Sequence, residues 1–157
     1  MSFNITVPYV PTPFGVIREM LKIADLKEDE ILMDLGCGDG RVLVIAAKEF
    51  KAYAIGIELR KDLVDKAVNN IKKNKVEEKV FIINGSFFEI SLSPANVIFL
   101  YLLTSVNEKL KPKIKAEADK GTRIVSHDFE ITGWKPYKIE EIQESGRTHK
   151  IYLYVKE

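Results

Sequence analysis

The 157 residues suit one domain with a core of its own, and 46% hydrophobic with 30% charged residues exclude a disordered chain. A formal net charge of +1 gives no basic field for nucleic acid, and a lone cysteine, Cys37, excludes a disulfide framework and favours an intracellular protein. No apolar run approaches the ~20 residues of a membrane span, "MSFNITVPYVPTP" is not a signal peptide, and Cys37 with only His127 and His149 argues against structural zinc.

A proline-spaced segment over residues 1–13 leads into "FGVIREMLKIADL", where Val16, Ile17, Met20, Leu21 and Ala24 fall on one helical face. Thr12 reads there as the N-cap of a helix opening at Pro13. "ILMDL" is a short apolar strand ending in Asp34, and 41–50 reads as a helix. A second buried strand, 52–58, ends in Glu58 and is followed by a helix over 60–74 with Leu63, Val64, Ala67, Val68 and Ile71 inward. Strands are expected at 79–84, 96–102 and 122–129, and a helix at 105–118 that Pro112 kinks. Five βα repeats predict a Rossmann-like α/β fold with a doubly wound, mostly parallel sheet. The two final segments flank "SGRT" as an antiparallel hairpin, which brings the sheet to seven strands.

The chemistry concentrates in "MDLGCGDGRV". In an open α/β sheet ligands sit beyond the carboxyl ends of the strands, and glycines there let bare backbone approach the ligand. Glu58 stands 22 residues after Gly36, near the ~20-residue spacing at which a carboxylate binds ribose hydroxyls. A dinucleotide fingerprint requires glycine where Arg41 stands, and no G-K-[ST] follows to make a P-loop.

The spacing D-x-G-x-G-x-G, an acid at 58 and the closing hairpin resemble class I S-adenosylmethionine-dependent methyltransferases. That resemblance implies that Asp34 and the backbone of Gly36 and Gly38 hold the methionine part, and that Glu58 and Leu59 sit at the ribose. It implies adenine contacts at Gly85, Ser86 and Phe87, although the family often has Gly-Asp where this chain has Gly-Ser. The segment after the fourth strand, "YLLT", has neither the D/N-P-P-Y/F motif of nucleobase-amine enzymes nor a cysteine for cytosine C5 chemistry.

A closer resemblance runs over nearly the whole chain. "PYVPTPFGVIREML", "GSFFEISLSPANVIFLYLLTSVNEKLKPK", "GTRIVSHDFEITGW" and "HKIYLYVKE" are similar to the archaeal broad-specificity protein lysine methyltransferases. The resemblance implies transfer of methyl groups to exposed lysines of several cellular proteins, chromatin proteins among them. It makes residues 1–13 a flap over the cofactor crevice of a single domain, with Val10 and Thr12 at the cofactor and Tyr9 and Tyr101 at the acceptor. The same residues have plainer readings: the flap as a strap packed on the sheet, and Tyr101 as core. Asp128 and Glu130 either attract an incoming ammonium or end a solvated loop, and His127 reads as a hydrogen-bonded strand end rather than a base. Trp134 and Phe129 read as packing for the hairpin, and the lysines at 109, 111, 113 and 115 as a solvated helix face. The expectation is a cytoplasmic monomer without a metal. The alternatives are a methyltransferase for RNA or a small amine, and a non-catalytic cofactor-binding module.

Overall fold

A computed structural model describes residues 9–157. The strands β1 (Ile31–Leu35), β2 (Tyr53–Glu58), β3 (Val80–Asn84), β4 (Val97–Leu100), β5 (Arg123–His127), β6 (Lys138–Glu144) and β7 (Arg147–Val155) form one sheet in the order β3-β2-β1-β4-β5-β7-β6. The first five run parallel; β7 pairs antiparallel with β5, and β6 with β7. This is the doubly wound, seven-stranded α/β fold expected. Strand order reverses between β1 and β4, which opens the crevice where ligands bind in such sheets.

Helices α1 (Phe14–Ile23), α2 (Arg41–Glu49) and α3 (Lys61–Lys73) lie on one face, and α4 (Thr104–Glu117) on the other. Period-two alternation divides the strands between two cores. Leu32, Val97 and Phe99 join Val16, Ile17, Met20 and Leu43, whereas Met33, Ile98 and Leu100 join Leu110 and Ile114. The α1 stripe is fully buried, as its spacing predicts. α4 continues through Pro112 as one helix.

Three expectations are corrected. No helix forms between β3 and β4, and none follows β5, so two of the five βα repeats are absent. The β3–β4 link is short and serine-rich, with Ser91 and Ser93 bonded to each other, and its Phe87, Phe88 and Ile90 pack directly on the sheet. The hairpin turn is Ser145–Gly146 alone, both at positive φ (52° and 79°), so Arg147 and Thr148 belong to β7. Thr12 does not cap α1: its cap position is Pro13, without a side-chain bond. Of the flap expected over 1–13, residues 1–8 lie outside the described residues. No helix among the described residues is long and apolar enough to cross a membrane.

Candidate active site

β1 delivers Asp34 to the switch point, and the chain then turns through Gly36, Gly38 and Gly40, all at positive φ, into α2. The close approaches are made by the protein itself. A Cβ on Gly38 would lie 2.7 Å from the Tyr9 ring, and one on Gly40 would lie 2.9 Å from the Ala67 Cβ on α3. The second glycine therefore admits the N-terminal segment, and the third admits a helix.

The loop encloses one wall of a cavity of about 450 Å³. Tyr9, Val10, Thr12, Asp34, Gly36, Gly38, Glu58, Leu59, Phe87 and Tyr101 all line it, joined by Asp39 and Arg41. Gly85 and Ser86, the other two expected adenine contacts, do not line it. Gly85 donates its N–H to the Glu58 carbonyl at 3.0 Å, and the Ser86 hydroxyl accepts from the Phe88 N–H at 3.2 Å. A short polar side chain in a turn bonds its own backbone before it reaches a ligand.

Asp34 carries the strongest electrostatic signal. It is 4% exposed, and no described residue donates a hydrogen bond to it. Burial, then the nearby Glu58 and Asp39 carboxylates, raise its pKa well above the ordinary range. A carboxylate kept this dry and this close to like charges calls for a cationic partner. Glu58 is oriented differently: its carboxylate accepts from the Gly38 N–H at 2.9 Å and the Arg60 N–H at 3.0 Å. Both oxygens keep further lone pairs for hydroxyl donors. The Gly36 N–H is spent on the Ile57 carbonyl at 2.9 Å, so that residue offers a ligand its carbonyl or its open face.

Asp39 and Arg41 tie the loop to the N-terminal wall, a role the sequence reading missed. The Arg41 Nη2 donates to Asp39 at 2.8 Å, Nη1 donates to the Thr12 carbonyl at 3.3 Å, and the guanidinium lies 4.6 Å above the centre of the Phe14 ring. Burial opposes ionisation of Asp39, but the Arg41 hydrogen bonds hold it below the usual range. Burial, then the bond to Asp39, push the Tyr9 hydroxyl up to about 12.

On the opposite wall, burial and then Asp128 raise the Tyr101 phenol. Its hydroxyl accepts from Arg147 Nη2 at 3.4 Å, and its ring lies 3.9 Å from that of His127. Asp128 also accepts from Arg147, at 2.8 Å, so its charge is compensated rather than offered to the crevice. Glu130 is exposed and does not line the cavity. Trp134 packs edge-on against Tyr154, as a hairpin anchor would. Burial pushes the Cys37 thiol far up, which makes it inert beside the glycines.

A seven-stranded sheet with a glycine loop, a buried acid and a strand-end Glu at the switch point defines the methyltransferase class that uses S-adenosylmethionine. A family model described as "ANTKMT methyltransferase domain" matches residues 34–138, and the chain belongs to that family. It is 47% identical over 99% of its length to a protein-lysine N-methyltransferase of Saccharolobus islandicus (strain REY15A), of which it covers 97%. It is 27% identical to the adenine nucleotide translocase lysine N-methyltransferase of Mus musculus, over 88% of this chain and 60% of that one. Among solved structures, an RNA methyltransferase from Salinibacter ruber in complex with S-adenosyl-L-homocysteine superposes with a TM-score of 0.87, at 41% identity over 93% of both chains.

Proposed function

We propose that this protein is a protein-lysine N-methyltransferase that uses S-adenosylmethionine, works as a single-domain cytoplasmic monomer, and acts on exposed lysines of several proteins, chromatin proteins included. The end-to-end likeness to a protein-lysine N-methyltransferase carries the substrate class. The residues present fit the cofactor: the Asp34 carboxylate, to which no described residue donates, lines the cavity, where a group bearing ammonium and sulfonium charges relieves its burial among like charges.

When bound, the cofactor supplies a methyl group activated on a positive sulfur. Asp34 and the Gly36–Gly38 turn hold its amino-acid end, and Glu58 takes the ribose hydroxyls. Leu59, 64% exposed at the rim, and Phe87 offer the purine apolar surface. Gly85 and Ser86 are left out of this assignment. Val10 and Thr12 form the facing wall, with Tyr9 and Tyr101 as the sides of the channel for a lysine stem. Both tyrosines stay phenols at neutral pH, so they shape the channel and orient the amine rather than take its proton. Desolvation and the repulsion of a neighbouring sulfonium favour the neutral amine that attack requires. In-line displacement then asks chiefly for positioning.

The test is incubation with methyl-labelled cofactor and a cell extract, followed by mapping of the label by mass spectrometry. Label on lysine ε-amines of proteins is expected. The Salinibacter neighbour's description favours a second reading, RNA methylation; label found only in RNA would establish it and overturn the first.

A further inference from the structure

Residues 9–12 wall the cavity yet belong to no helix or strand. Something else must fix their height over the glycine loop. Thr12 is buried, and its hydroxyl bonds His127 Nδ1 at 3.0 Å. His127 Nε2 bonds His149 Nδ1 at 2.8 Å, and His149 Nε2 reaches the Glu144 carbonyl at 3.0 Å. The far end sets the polarity of this chain. A carbonyl can only accept, so His149 carries its proton on Nε2 and presents a lone pair at Nδ1. His127 therefore donates from Nε2 and accepts from the Thr12 hydroxyl at Nδ1. Burial lowers the His127 pKa to about 4 and keeps that ring neutral.

Glu144 holds the segment a second time. Its carboxylate accepts from the Val16 N–H at 3.2 Å, in the first turn of α1. It presses against Gly15, where any Cβ would collide with it. The flap is thus held at Thr12 by His127 of β5, backed by the hairpin's His149, and at α1 by the hairpin's Glu144, and neither His127, His149 nor Glu144 lines the cavity. His127, Asp128 and His149 place ligand atoms within 4.8 Å of one another, but the hydrogen bond between the rings occupies the two nitrogens a metal ion would need.

We infer that the chain Thr12–His127–His149–Glu144 is a positioning device for the cofactor site: it holds the wall of the crevice closed on the glycine loop and so sets the affinity for the nucleoside. His149 is a positioning residue that acts through Thr12, and the Glu144 side chain is one that acts through the first turn of α1. The inference rests on the cofactor assignment above.

The test compares the full-length wild type with His149→Leu and Glu144→Ala, and with Glu144→Gln, which keeps an acceptor for Val16. Each is titrated calorimetrically with S-adenosylhomocysteine at a temperature where circular dichroism shows it folded. His149→Leu is expected to bind at least about tenfold more weakly and Glu144→Ala severalfold, with Glu144→Gln within about twofold of wild type. Deuterium exchange at the Val10 and Thr12 amides should quicken in the two weakened variants. Side-chain nitrogen NMR of the wild type at neutral pH should show both histidines as Nε2–H tautomers. Wild-type affinity in the folded variants, or an Nδ1–H tautomer at His127, overturns the inference; where His149→Leu does not fold, the His127 tautomer of the wild type decides. A wild type that fails to bind S-adenosylhomocysteine refutes the cofactor assignment instead.

Discussion

Asp34 is the residue where stability and binding conflict. Its buried carboxyl has no described donor and two acidic neighbours, so the fold bears its cost until a cation arrives. Asp34→Asn is expected to stabilise the ligand-free protein by about 1 kcal/mol in urea unfolding at neutral pH. The same change should weaken S-adenosylmethionine binding at least about tenfold by calorimetry. Loss of stability together with unchanged affinity would remove Asp34 from the site. The glycines are similarly divided in purpose. Gly40 sits at φ 80° against Ala67, so Gly40→Ala should cost about 2 kcal/mol in the same unfolding assay, through helix packing rather than through the ligand.

At the scale of elements, the strand–glycine loop–helix unit was legible because its code is local. An apolar strand ends in Asp34, a turn needs positive φ, and an amphipathic helix follows. Glu58 was legible for the same reason, at the end of the next parallel strand. The clamp was not. Thr12 and His127 are 115 residues apart, and His149 joins them only because β7 inserts between β5 and β6. Pairwise spacing holds no signal for that. Thr12 before a proline and a helix reads locally as a cap, and tertiary contact overrode the local choice. The buried ring also leaves a mark on pH dependence. His127 titrates at about 4 in the native state and at ~6.5 when unfolded, so the unfolded chain binds more protons between those values. Its contribution is complete above pH 6.5 and is lost as pH falls towards 4, with a slope of up to about 1.4 kcal/mol per pH unit. Urea midpoints measured between pH 7 and pH 4 should fall accordingly. A flat profile would mean that His127 is already charged in the fold.

For the whole molecule, a cavity bordered by the N-terminal segment, β1, β2 and β4 makes ligand binding depend on elements far apart in the chain. A ligand that binds only the native state at 100 times its Kd adds about 2.7 kcal/mol. For a chain of this length that should raise Tm by about 5–10 °C, measurable by calorimetric scans with and without S-adenosylhomocysteine. No shift at saturating ligand would place the binding elsewhere or nowhere.

The position of β7 bears on how the enzyme is made. It is the last element in chain order, yet it lies inside the sheet and carries His149, while β6, translated before it, waits at the edge. A nascent chain can form β1 and its glycine loop early, but the crevice gains its anchored wall only after residue 149 has left the ribosome. Translation products that stop before residue 149 should therefore bind the cofactor more weakly than the folded chain.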